Sequence, residues 1–328
     1  MVVVTAPDET FALPATVMMR SVVDQCREAQ SVDFYVLDCG LSAWSRHKMR
    51  RSLPLGWARL HFVQIPLDRL AGLRVDDHIP TAAYARLLMG ELLPESVDRI
   101  LYLDGDMVAL TDVRPLWEVD LEGHLLGAVQ DPVAGRVGQS PEMMHWKDWE
   151  VPEGMPVFNS GLMVLDLKRW RQERVFERVL EAARRHMARM RWHDQDALNY
   201  VARGDFLHLD PAWNVMPHLY YTPHRDRVIY EKPVSKRCIR APRILHFCMD
   251  HRPWKGPGRH WREAEFYRYL FRTAWKHDVY CAPWMGRGHG LLRFWKRRAK
   301  AWGTRAAPKN IGTGREKTAT SRGGQGQV

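Results

Sequence analysis

The chain has 328 residues, enough for one large α/β domain or two small ones. Its hydrophobic content of 45% is that of a globular protein, and no apolar run reaches the roughly 18 residues of a spanning helix. Of the net +11, residues 276–328 carry +10 (12 Lys/Arg, 2 Asp/Glu) and residues 1–275 carry +1 (37 against 36), which excludes a nucleic-acid footprint over the body.

The start, Met1 to Asp8, lacks a basic n-region and a long apolar stretch, so it reads as a first strand and not a signal peptide. Five cysteines (26, 39, 238, 248, 281), odd in number and without CxxC spacing, suggest reduced thiols in a cytoplasmic protein.

Residues 2–6 are strand-like. Met18, Val22 and Cys26 recur at i, i+4, i+8, which predicts a helix facing a sheet. A second strand is expected at 33–38, a polar helix from Ser42, a third strand at 59–63 and a helix at 84–93 closed by Pro94. An apolar strand, 99–103, then runs into Asp104. This βαβα order implies α/β architecture and a parallel, doubly wound sheet, with ligands at the carboxyl ends of its strands, where Asp8, Asp104 and Asp106 should lie.

Residues 131–156 read as a long active-site loop, and 158–167 as a strand. Helices are expected at 171–190 and 193–201, irregular aromatic chain at 211–230 and a last strand at 243–247. An aromatic amphipathic helix is expected at 260–276. From Gly303 the composition predicts disorder.

The segment Leu101-Tyr102-Leu103-Asp104-Gly105-Asp106 ends a strand in two carboxylates one residue apart. Two hard oxygen ligands at that spacing suit a divalent cation, and such a cation suits a diphosphate. Gly105 keeps the turn small and lets a ligand approach. The bland alternative is a solvated strand-end turn. Phe158-Asn159-Ser160-Gly161 places small polar residues before a buried run, with Gly161 clearing space for a ligand. His193-Asp194-Gln195-Asp196 packs acids and an amide into one turn; the bland reading is Asp194 as an N-cap. His246 ends another strand and would complete a set of two Asp and one His, which suits Mn²⁺ better than Mg²⁺.

Taken in order, Ala6-x-Asp8, Tyr84-Ala85-Arg86-Leu87, Leu101 to Asp106, Pro115-Leu116-Trp117, Phe158 to Gly161, Asp194-Gln195-Asp196, Trp213-Asn214-x-Met216-Pro217 and His246-Phe247-Cys248…Pro253-Trp254 resemble glycosyltransferase family 8. The likeness is to the bacterial lipopolysaccharide galactosyl- and glucosyltransferases and spans residues 1–275. It implies a GT-A fold: one nucleotide-sugar-binding domain around a mainly parallel sheet, followed by a basic aromatic segment at 276–302 and a basic tail at 303–328. It also implies a UDP-sugar donor, Mn²⁺ (or Mg²⁺), retention of anomeric configuration and a saccharide acceptor.

Carried over by position, Asp104, Asp106 and His246 would be metal ligands. Ala6 and Asp8 would line the uracil or ribose pocket, and Arg86 would hold the diphosphate or sugar. Asn159, Gly161, Asp194 and Gln195 would line the donor sugar, with Gln195 and Asp194 as the catalytic pair. The family commonly has glycine three positions and lysine six positions after this histidine; here Met249 and Arg252 stand there, so Arg252 and Lys255 would grip the diphosphate. Same-face attack by the acceptor hydroxyl is preferred to a covalent route through Asp194. The acceptor would meet Tyr220, Tyr221 and His224.

In the tail, Leu292, Trp295, Ala299 and Trp302 recur at i, i+3, i+7, i+10 among basic residues. This reads as a membrane-surface helix at the cytoplasmic face of an anionic bilayer, where a lipid-linked acceptor would be met. The alternative there is a terminal helix docked on the body. For the whole chain, a non-catalytic nucleotide-sugar- or glycan-binding protein is a different class. A haloacid-dehalogenase-type phosphatase also carries Asp-x-Asp, but on its first strand, whereas three strands precede it here.

Overall fold

A computed structural model of the chain describes residues 1–26, 31–73, 81–138, 147, 150–186, 188, 190–220, 228–256 and 260–280. Tyr221, His224, Cys281 and the tail segments expected at 286–328 lie outside the described residues.

The elements begin with β1 (Val2–Thr5), α1 (Ala12–Gln25), β2 (Val32–Asp38), α2 (Ala43–Ser52) and β3 (Ala58–Gln64). The predicted helix at 84–93 is a broken run, α3 (Thr81–Ala85), a 3-10 turn (Arg86–Leu88) and α4 (Met89–Leu92), ended before Pro94. β4 (Arg99–Leu103), β5 (Met107–Ala109), α5 (Arg114–Trp117) and β6 (Leu126–Gln130) follow. Then come β7 (Phe158–Asp166), α6 (Leu167–Gln172), α7 (Val175–His186), α8 (His193–Ala202) and β8 (Leu207–His208). The predicted single helix at 171–190 is thus two helices, broken where Arg174 takes a left-handed φ of 51°. The last elements are α9 (Lys232–Arg240), β9 (Ile244–His246), α10 (Glu263–Leu270) and α11 (Lys276–Tyr280).

The main sheet has the order β3-β2-β1-β4-β7-β6-β8. β3, β2, β1 and β4 are parallel neighbours, and β6 pairs parallel with β8. β7 runs against both β4 and β6. Successive residues of the central strands feed opposite cores: Ile100 and Tyr102 pack on one side of the sheet, Leu101 and Leu103 on the other. β7 repeats this, with Met163 and Leu165 on the first side and Leu162 and Val164 on the second. A strand buried on both faces has no room for alternating polar residues, which explains the continuous apolar reading of β4.

Two features of this topology build the site. Because β7 is inverted, its first residues, 158–161, lie beside the carboxyl end of β4; Asp104 N donates to Gly161 O at 2.8 Å. Because β5 pairs antiparallel with β9 in the register Met107↔His246, residue 246 comes to the turn that carries Asp106; Phe247 N donates to Asp106 O at 2.8 Å.

Candidate functional site

Asp104, Asp106 and His246 each present one ligand atom, and these atoms lie within 4.8 Å of one another. Asp106 and His246 are buried, and Asp104 is half-buried at the cleft. Gly161 makes the room: a Cβ there would sit 2.7 Å from His246 Cε1 and 2.8 Å from Asp104 Oδ2. Gly105 serves a different contact, since a Cβ there would come 3.1 Å from Ala15 Cβ on α1. The donor set of two carboxylate oxygens and an imidazole nitrogen fits a divalent cation.

A hydrogen-bonded chain sets the direction of the His246 ring. Backbone N–H groups and a carboxylate fix each amide along it. Asn159 Nδ2 faces Asp131 Oδ2 at 3.4 Å and Gln195 Oε1 at 3.1 Å, so Asn159 Oδ1 accepts, from Gly161 N at 3.2 Å and from Asn214 Nδ2 at 2.8 Å. Asn214 Oδ1 is left as the acceptor for His246 Nδ1, 2.9 Å away. Nδ1–H therefore donates to Asn214, which turns Nε2 toward the acids. Nε2 is 3.2 Å from Asp106 Oδ1. Burial alone would lower the His246 pKa, but the Asp106 carboxylate holds it above the ordinary imidazole value. Burial would raise Asp106 in turn, and the His246 charge and hydrogen bond, with Arg252, hold it below the ordinary carboxylate value.

Arg86 is buried at the centre of the acids. Its Nη2 donates to Asp104 Oδ1 at 2.9 Å, its Nε lies 3.2 Å from Asp194 Oδ2, and its Nη1 donates to Ser160 O at 3.0 Å. The guanidinium stacks over the Tyr102 ring at 4.7 Å, and Tyr102 OH donates to Asp104 Oδ1 at 3.0 Å. Burial pushes the Asp194 pKa up to about 6, Arg86 drawing it down and Asp104 adding to the rise.

Gln195 Oε1 accepts from Asn159 Nδ2 and, at 3.0 Å, from Ser160 N, so both its lone pairs are engaged. Its Nε2 faces Asp131 Oδ2 at 3.4 Å. The N-cap of α8 is Trp192, not Asp194; the Asp194 carboxylate accepts backbone hydrogen bonds at Asp194 and Gln195 in the first turn, and Asp196 Oδ2 accepts from Arg191 N and Trp192 N at 2.8 and 2.9 Å.

The other expected residues lie further out. Ala6 follows β1, and Asp8 accepts from Phe11 N and Thr10 Oγ1 at 3.0 and 2.7 Å. Arg252 stacks over Phe11 at 5.3 Å and its charge reaches Asp106. Lys255 is exposed. Asn214 and Asp131 carried no assigned role in the sequence reading. Asp131 had a signal, since it follows the apolar strand β6 as Asp104 follows β4.

This arrangement matches a known family over most of the chain: residues 2–257 fit the glycosyl transferase family 8 model. The chain belongs to glycosyltransferase family 8. Among family relatives, the chain is 26% identical over 276 residues to General stress protein A of Bacillus subtilis, covering 83% of this chain and 94% of that protein. It is 26% identical to the lipopolysaccharide 1,2-glucosyltransferase of Escherichia coli, covering 68% and 64%. The galactosyltransferase LgtC, solved with donor and acceptor sugar analogs, superposes with a TM-score of 0.72 at 26% identity, covering 84% of this chain and 99% of LgtC. The fold is thus the mixed α/β, mostly parallel GT-A architecture, and the chain is a family 8 glycosyltransferase.

Proposed function

We propose that the protein is a retaining hexosyltransferase. It moves galactose or glucose from a UDP-sugar to a saccharide acceptor, lipopolysaccharide or another cell-surface glycan, at the cytoplasmic face of the membrane. The observation that carries this reading is the convergence of Asp104, Asp106 and His246 beneath Gly161, joined through Asn214 and Asn159 to Gln195.

Asp104, Asp106 and His246 would hold Mn²⁺ or Mg²⁺, which when bound supplies positive charge against the donor diphosphate. Arg252 and Lys255 add cationic grip on the departing UDP. Ala6 and Asp8, past the end of β1, line the nucleoside. Arg86 fixes Asp104 and Asp194 on either side of the donor. Asn159, Gly161, Asp194 and Gln195 line the sugar, with Gln195 nearest the anomeric carbon. The Gln195 amide oxygen is held by two donors and Asp194 is paired with Arg86, which makes both poorer nucleophiles. This supports same-face attack, with a leaving phosphate oxygen taking the acceptor proton.

The test is UDP release from UDP-galactose and UDP-glucose with Mn²⁺, with EDTA, and for Asp106→Ala. Release that requires both the metal and Asp106, reduced by at least about 100-fold without either, is the expected result. Release unaffected by EDTA and by the substitution would overturn the reading.

A further inference from the structure

Residues 39–67 contain five Lys/Arg (46, 48, 50, 51, 59), two His and no Asp or Glu, within a body that is nearly neutral as a whole. This stretch forms α2, the connection after it, and β3. α2 buries Ser45, Lys48, Met49 and Ser52 and leaves Trp44, His47, Arg50 and Arg51 outside. Trp44, His47 and Arg51 follow at i, i+3, i+7, one ridge of the helix. Trp44 is 63% exposed, and past the helix end Leu55 is 97% and Trp57 40% exposed. Exposed indoles and an exposed leucine lie beside Arg50 and Arg51, while Arg46, Lys48 and Arg59 of the same stretch are ion-paired with Asp38, Asp278 and Asp33.

The last described residues pack beside the same helix. The Lys48 ammonium lies 4.8 Å from the ring centroids of both Trp44 and Trp275, and it is ion-paired with Asp278 of α11. Ala274 N donates to Ser52 Oγ at 2.9 Å. From residue 281 the sequence continues with 11 Lys/Arg against one acid.

We propose that the outer face of α2 and the connection 53–57 dock on an anionic lipid bilayer, beside the start of the basic tail. The inference deepens the reading of a transferase acting on a membrane-bound acceptor and rests on it for its purpose. Arg50, Arg51 and His47 meet lipid phosphates, while Leu55 and Trp57 enter the interfacial layer. The body, and not only the tail, then sets the height and tilt of the cleft above the membrane.

The experiment is co-sedimentation of the full chain with phosphatidylcholine vesicles, with and without phosphatidylglycerol, and binding to heparin as a soluble polyanion. Two full-length variants are compared with the parent: Arg50→Gln/Arg51→Gln and Leu55→Ser/Trp57→Ser. Thermal melting verifies that each is folded. Each variant should lose about tenfold or more in partitioning onto anionic vesicles. The apolar variant should bind heparin as the parent does. Parent-like vesicle binding by both variants overturns the proposal. So does equal loss of vesicle and heparin binding by the basic pair with none by the apolar pair, which would assign the face to a polyanion such as nucleic acid. Vesicle binding needs no donor, so failure of the transferase reading in the UDP assay leaves this result readable.

Discussion

At the residue scale, the candidate metal site depends on side chains that would not themselves touch a metal. Asn214 accepts the His246 Nδ1 proton and so turns Nε2 toward Asp106. Without that acceptor the ring is free to rotate or change tautomer, and partners of this kind alter metal affinity by about 10–100-fold. Asn214→Ala is therefore expected to weaken Mn²⁺ binding by about that factor in a direct titration without donor, while far-UV circular dichroism remains native. Unchanged Mn²⁺ affinity would show that packing alone holds the ring. Gly161 works by absence, its missing Cβ leaving the space between His246 Cε1 and Asp104 Oδ2.

At the element scale, the three-residue ladder of β5 with β9 carries a residue 140 positions away in sequence to the Asp106 turn. Just past β9, Met249 has φ 60°, a left-handed conformation that costs a residue with a Cβ about 1–2 kcal/mol. Its side chain is 41% exposed, so little packing offsets that cost. Glycine adopts this conformation without strain but loses more entropy on folding. Met249→Gly is expected to stabilise the protein by up to about 1 kcal/mol, read as a raised melting temperature. A lowered one would mean that the Met249 side chain makes a contact worth more than the strain.

At the scale of the whole molecule, two buried groups shape acid stability in opposite senses. His260, enclosed by Phe247, Tyr220 and Trp261, has its pKa pushed down by burial from 6.5 to about 3. The unfolded chain then binds more protons, so this contribution is present above about pH 6.5 and is lost as pH falls toward 3. Asp194, raised from 3.8 to about 6, favours the fold below 3.8 and loses that contribution as pH rises through about 6. The two partly cancel in the parent. In metal-free buffer, His260→Phe removes the first and leaves the second. Relative to the parent, the variant should therefore gain about 2–3 kcal/mol between neutral pH and about pH 4.5, measured by denaturant unfolding at both. Parallel stability curves would mean that His260 is protonated in the fold.

Several features were legible in the sequence because they are local. The apolar run into Asp104-Gly105-Asp106, the alternation of strands and helices through residue 103, and the separation of a neutral body from a basic end need only neighbours along the chain. The order of the motifs then pointed to the family. What the tertiary structure decided is non-local. The inversion of β7 brings Asn159-Ser160-Gly161, the start of the expected strand, beside the carboxyl end of β4, because pairing direction is set by how the sheet is wound and not by strand composition. Asn214 and Asp131 stand far apart in sequence, and only the burial of Asn159 between them makes their orientation matter. α2 reads in sequence as a polar basic helix. That its exposed ridge adjoins residues 274–278 follows from Lys48 packing between Trp44 and Trp275, a contact across more than 200 residues that no local pattern encodes.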